Sequence, residues 1–405
     1  MPNTLLTFLG TRKYTPCQYS FNGQLSHEVR FVQQAMIEHF CQNWSANDRI
    51  LVFLTRAARE KHWDTLQTQI PEHLSVQDID IPDGLNEEEI WRIFTIVFEK
   101  LNEGDKVVYD ITHGFRSLPM LGITLLNYAK FLKNIEVNGI YYGAYEARNK
   151  ESNAASILDL TSFSTLQDWS IAAGQFLHYG ITDSLKELTQ REYVPFLKQT
   201  KGEHKTAFQL KGLSQALEKF SASIQTSDGP GLIESKNIRN IRAKLQGNYQ
   251  SLVPAFQPLL EHINASLANF DEDNNIINGF KAVKWCIKNN LIQQGFTLLQ
   301  ENIITYIAVQ NKKNYMDKQV RNDISRAFTI LSQSIPEDKW EVNNREFVHS
   351  LFDKHLLNDL KKVYGAISQR RNELNHARFN KEFSKNIDYK KQLSELFGQT
   401  MKAIN

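Results

Sequence analysis

Two short stretches of this 405-residue chain carry side chains suited to handling phosphate. The first runs from Val107 to Pro119 and sets Asp110, Thr112, His113, Gly114, Arg116 and Ser117 behind an apolar Val107-Val108-Tyr109 run. An apolar strand, a polar turn and a helix opening at Ser117 make one half of a βαβ unit. Open parallel sheets bind ligands beyond the carboxyl ends of their strands, where this turn places a hydroxyl, an imidazole, a glycine backbone and a guanidinium. Ser117 reads as an N-cap, and the N–H groups of the first turn form an anion-binding corner with Arg116. Neither the Walker spacing nor G-x-G-x-x-G is present, so this is a phosphate reader of another kind. The plainer alternatives are a satisfied structural histidine at His113 and an Asp110 that merely anchors the turn.

The second stretch is Arg370-Arg371-Asn372-Glu373-Leu374-Asn375-His376. At roughly 100° per residue on a helix, Asn372 and His376 share a face one turn apart. The long side chain of Arg371 can swing to the same patch. An imidazole moves protons near neutral pH, and a guanidinium holds the charge that builds on a phosphate under attack. RNA brings its own nucleophile, the 2′-hydroxyl, so the pair needs no metal. The alternatives are a solvated surface or an ordinary capping role.

Both stretches need elements to position them. Thr4 to Leu9 is an apolar run closed by Gly10-Thr11-Arg12, and Ile50 to Leu54 is a second one ending in Thr55 and Arg56. Val76, Ile79 and Ile81 mark another strand, and Val137 to Tyr142 another, with a hairpin through Arg148-Asn149-Lys150 returning as Ala155 to Leu160. Helices are predicted between them: around Val32, Met36 and Phe40; over Ala57 to Gln69; after a capping box at Asn86 and Glu89; and from Ser117 to Lys133. Strands and helices in alternation imply a mainly parallel, doubly wound sheet with helices on both faces. Beyond Phe163 the pattern is helical. Leu177 to Leu197 and Phe208 to Phe220 are amphipathic, and Ser227 to Gly231 is a clear break. One long helix is predicted from Ile277 to Ile303 and another from Arg345 to Arg378, carrying the Arg-His stretch near its end. The expected organisation is an α/β domain over 1–165, a helical connector over 166–275 and an all-α domain over 276–405.

Composition narrows the function. Lys plus Arg (47) nearly balances Asp plus Glu (45), so any contact with nucleic acid is local. Three scattered cysteines, Cys17, Cys41 and Cys286, argue for a reducing compartment and against a disulfide framework. No C-x-x-C or H-E-x-x-H suggests a zinc, and the apolar run at the N-terminus is far shorter than a membrane span. The expectation is a cytoplasmic protein with no cofactor, no metal and no membrane.

The front half resembles the CRISPR-associated Rossmann-fold (CARF) domains with a D-x-T-H-G motif, here Asp110, Thr112, His113 and Gly114. The back half resembles HEPN ribonuclease domains, whose motif of Arg, four to six residues and His is matched by Arg371, Asn372 and His376. Together they look like an accessory ribonuclease of type III CRISPR systems, acting in antiviral defence. The resemblance implies a homodimer or higher oligomer that binds a cyclic oligoadenylate (cA4 or cA6) at the CARF dimer interface. Gly10, Thr11, Thr55, Arg56, Thr112, His113, Gly114, Arg116 and Ser117 are the implied contacts. It also implies a composite cleft in which paired Arg371 and His376, oriented by Asn372, cut single-stranded RNA without metal, leaving a 2′,3′-cyclic phosphate. Two other functions fit the same residues: a non-catalytic nucleotide-sensing regulator binding DNA or a protein partner, and a CARF site that slowly cleaves its own ring.

Overall fold

The structure, a computed structural model, describes residues 2–113, 118–249, 251–253, 256–353, 355–377, 379 and 387–404. It divides into two compact units, Met1–Gln167 and Asp168–Asn405. In the first, eight strands form one sheet: β1 (Asn3–Leu9), β2 (Gln18–Phe21), β3 (Gln24–Leu25), β4 (Arg49–Leu54), β5 (Ser75–Asp80), β6 (Lys106–Asp110), β7 (Glu136–Gly143) and β8 (Ala154–Asp159). Their order is β3-β2-β8-β7-β6-β1-β4-β5. The run from β7 to β5 is parallel throughout. Antiparallel pairing enters where β8 returns beside β7 and where β3 closes on β2. The sheet is therefore mixed, with its parallel part under the first phosphate-reading turn.

Strands buried on both faces read as unbroken apolar runs, which is why β1 and β4 show no alternation in sequence. Leu5 and Leu9 of β1 point into one layer, and Leu6 and Phe8 into the other. The first layer is closed by the Val32–Phe40 helix through Val32, Ala35 and Met36, and by Ala58, Trp63 and Leu66 of a helical run over 56–67. That run is wound as a π turn at Arg59–Trp63. The second layer is closed by Ile93 and Val97 of the Glu87–Lys100 helix and by Leu125, Leu126 and Ala129 of the Leu118–Lys133 helix. The N-cap predicted at Asn86 is present, its Oδ1 accepting from Glu89 N at 2.9 Å, but the return bond of a capping box falls one residue early. Glu89 reaches back to Leu85 N at 2.9 Å.

Both ends of the sheet are modest. β3 is two residues long, and on β5 the carboxylates of Asp78 and Asp80 are both paired with Arg59. The outer face of the second layer is different. Trp91, Phe94, Phe98 and Tyr128 touch in series, and Phe131 and Met120, on the Leu118–Lys133 helix, are 82% and 73% exposed.

The described residues of the second unit hold helices and no strand, around one core running from Trp169 to Leu393. Three predicted continuities are broken. The amphipathic stretch 177–197 is interrupted at Gly180 (φ +67°), between helices Thr161–Tyr179 and Asp183–Gln199. The helix expected over 277–303 is two, Ile277–Lys288 and Ile292–Gln310, because Asn290 takes a left-handed conformation (φ 59°) that ends the first. The helix expected over 345–378 is also two, Arg345–Phe352 and His355–Asn375. Both bury their apolar residues in the same core, so the periodicity carries across the break unnoticed. Cys17, Cys41 and Cys286 are buried free thiols, and no helix among the described residues is long and apolar enough to cross a membrane.

Candidate functional site

Because β6, β1 and β4 are neighbours and parallel, their following loops open on the same edge of the first unit. Asp110 ends β6 and is fully buried; its carboxylate accepts from Thr7 Oγ1 at 2.7 Å and from Thr112 N at 2.9 Å. The Thr112 hydroxyl then accepts from Gly143 N at 2.8 Å, tying the turn to the end of β7. The carboxylate thus shapes the turn from beneath. Gly10 and His113 come together: a Cβ on Gly10 would stand 3.7 Å from His113 Cβ.

A residue that spacing did not reveal fills the space behind them. Buried Tyr14 accepts the Gly10 N–H at 2.9 Å and packs edge-on against both His113 (4.8 Å between centroids) and His62 (4.9 Å). The Gly10 amide is therefore engaged internally. Thr11 presents its carbonyl to Lys61 Nζ at 2.6 Å, and Arg12 pairs with Glu146 at 3.3 Å. Thr55 caps the next helical turn, its hydroxyl accepting from Ala58 N at 3.4 Å, while the exposed Arg56 pairs with Glu60 at 2.8 Å. Lys61, His62 and Tyr14 come from a turn and a loop whose place beside the strand ends is set by tertiary packing. Gly114, Arg116 and Ser117 lie outside the described residues.

Burial disfavours the protonated form of both imidazoles. Desolvation lowers the His113 pKa against the opposing pull of Asp110, and desolvation lowers that of His62 against its hydrogen bond to the Arg12 carbonyl. The folded state resists taking up these protons, whereas the unfolded chain takes them up as pH falls through about 6.5. Stability is thus full above that pH and declines below it until the depressed folded values are reached, with a limiting slope of about 1.4 kcal/mol per pH unit for each proton. Urea melts of the protein at pH 7.5, 6.5 and 5.5 are expected to show this loss, and His113→Asn is expected to reduce it, leaving the part due to His62. A stability that does not change across that range would rule the assignment out.

In the second unit both Arg370 and Arg371 stand at a fitting distance before His376, and the structure separates them. Arg370 is locked: its NH1 donates to both oxygens of buried Glu373 at 2.7 and 2.8 Å, and its Nε to Gln392 at 2.8 Å. Glu373 also accepts from Tyr389 Oη at 3.1 Å, so this clamp fastens the His355–Asn375 helix to the Tyr389–Ile404 helix. Arg371 is looser. Its side chain is 31% exposed, and its NH2 lies 3.9 Å from Glu301 Oε1. Asn372 and His376 are exposed, and His376 N donates to the Asn372 carbonyl at 3.0 Å, which extends the helical bonding past the last helical residue. Arg371, Asn372 and His376 therefore lie at one end of one helix, with Asn372 and His376 exposed and Arg371 partly so.

A largely parallel sheet with helices on both faces, its strand-end loops converging on Asp110, His113 and Gly10, makes the first unit a Rossmann-like α/β domain. Residues 4–146 match the family model described as CRISPR system endoribonuclease Csx1, CARF domain. Over 112 residues the chain is 30% identical to the CRISPR-associated protein MJ1674 of Methanocaldococcus jannaschii. That match covers 27% of this chain and 18% of the length of the relative. Residues 4–146, most of the first unit, are thus similar to a CARF domain.

Proposed function

We propose that this protein is a single-stranded RNA endoribonuclease switched on by a cyclic oligoadenylate. The observation that carries the proposal is the pairing, in one chain, of a match to a CARF domain with a partly exposed Arg371 five residues before an exposed His376 at one helix end. In this reading the ring of four or six adenylates lies over the strand-end loops, against Gly10, Thr11, Thr55, Arg56, Thr112 and His113. Gly114, Arg116 and Ser117, outside the described residues, complete the phosphate contacts. The second unit is a HEPN-type nuclease. His376 moves the proton of the 2′-hydroxyl or of the leaving 5′-oxygen, and Arg371 holds the charge on the phosphate oxygens. Asn372 orients the pair. The 2′-oxygen bonds to phosphorus as the 5′-oxygen leaves, giving a 2′,3′-cyclic phosphate and a 5′-hydroxyl without metal. The ring activates only by the difference in its affinity for the active and inactive arrangements, typically about 1–3 kcal/mol.

The test is labelled single-stranded RNA with the protein in EDTA, with and without each ring. Cutting that depends on one ring and leaves cyclic-phosphate ends is expected. No cutting with either ring overturns the proposal.

A twofold ring calls for a twofold protein, and the exposed aromatic face around Trp91, Tyr128 and Phe131 is the surface for it. Contiguous apolar patches of this kind mark interaction surfaces. Phe131→Glu, which places a charge where the second copy packs, is expected to convert a dimer to a monomer in light scattering and to abolish ring binding. A dimer that survives the substitution places the interface elsewhere.

A further inference from the structure

The Arg371 guanidinium is not held by its own helix. Its Nε is buried without a hydrogen-bond partner, and its NH2 faces Glu301 on the Ile292–Gln310 helix. Glu301 is itself fixed. Its Oε2 accepts from Arg321 NH2 at 2.6 Å, and its backbone carbonyl accepts from the same nitrogen at 3.2 Å. Arg321 NH1 in turn donates to Thr305 Oγ1 at 3.0 Å and to the Tyr315 carbonyl at 2.8 Å. One carboxylate oxygen is therefore anchored to the interior while the other looks toward Arg371. Tyr364, on the same helix as Arg371, closes the cluster: its hydroxyl donates to Ser325 Oγ at 3.1 Å and accepts from Gln300 Nε2 at 3.2 Å.

We propose that Glu301, held by Arg321, is the positioning residue that aims Arg371 at the RNA phosphate; this rests on the nuclease reading above. A guanidinium whose NH2 faces a fixed carboxylate at 3.9 Å and whose Nε is buried has its orientation set from behind. Donors already aimed at developing charge need no reorientation as the reaction proceeds. Two guanidinium groups around one carboxylate also leave net positive charge for an anion to meet.

Glu301→Gln keeps the shape and removes the charge; Arg321→Lys keeps the charge and removes the fork that grips Glu301. With activator present, Glu301→Gln is expected to lower kcat about 10- to 100-fold with little change in KM, and Arg321→Lys to act in the same direction more weakly. A Glu301→Gln enzyme as fast as the wild type, or faster, overturns the inference. A second measurement stands apart from cleavage. The 15N-edited Nε–Hε signal of Arg371, identified by its loss in Arg371→Lys, is expected to be distinct and slow to exchange in the wild type. In Glu301→Gln it is expected to merge with the signals of mobile arginines. A signal unchanged by the substitution overturns the positioning role whether or not RNA is cut. If the signal changes but the wild type cuts no RNA, the nuclease reading fails while the orientation by Glu301 stands. Should Glu301→Gln not fold, Arg321→Lys carries both measurements.

Discussion

Arg371→Ala is expected to slow activator-dependent RNA cleavage by about 10²–10³-fold, the usual cost of removing one charge-stabilising donor from a reacting phosphate or carbonyl centre. The substitution takes away a half-exposed side chain whose ion pair, at 3.9 Å, is long. Fold stability is therefore expected to stay within about 0.5 kcal/mol of the wild type, as for most surface changes. Single-turnover cleavage of labelled RNA beside a urea melt separates the two effects. Arg370 cannot stand in for the missing guanidinium, because its donors are fixed on Glu373 and Gln392. Cleavage that persists in the alanine variant would move the chemistry away from this helix end.

Asp110→Ala is expected to act in the opposite way, on the fold and on ring binding together. Asp110 receives hydrogen bonds from the Thr7 hydroxyl and the Thr112 amide in a fully buried position. Bonds to a charged acceptor are worth about 1.5–3 kcal/mol each, and their loss also leaves the buried Thr7 hydroxyl and the half-buried Thr112 amide unanswered. A drop of about 3 kcal/mol lowers Tm by roughly 6–12 °C for a unit of this size. The turn carrying Thr112 and His113 then loses its support, so calorimetry with either ring is expected to show no heat of binding. A variant that melts and binds like the wild type would leave Asp110 without the role given it here.

The two sites differ in how far the sequence disclosed them. Val107 to Asp110, Thr4 to Leu9 and Ile50 to Leu54 were readable because a strand buried on both sides is an uninterrupted apolar run, and their shared edge followed from parallel pairing. The four-residue β2 and two-residue β3 went unread, being too short for any period to register. Tyr14 and His62 were equally hidden: Tyr14 reaches Gly10 and His113 from a loop, His62 meets Tyr14 from a π turn, and no local spacing encodes that approach. In the helical unit, the sequence could not choose between Arg370 and Arg371. The choice depends on Glu373, Gln392 and Tyr389 closing around one of them, and two of those belong to another helix. Glu301, 70 residues upstream of Arg371, leaves no trace near the motif.

The pairing of Arg59 with Asp78 and Asp80 has a consequence for crowded solutions. An outermost strand offers open backbone groups to any passing chain, and charges along it are a standard defence against intermolecular strand addition. With β5 guarded in this way and β3 offering only two residues at the opposite end, the sheet has little room to be extended by a neighbour. Self-association is thereby steered away from fibril-like stacking and toward contacts between helices, and concentrated protein is expected to stay free of thioflavin-binding aggregates.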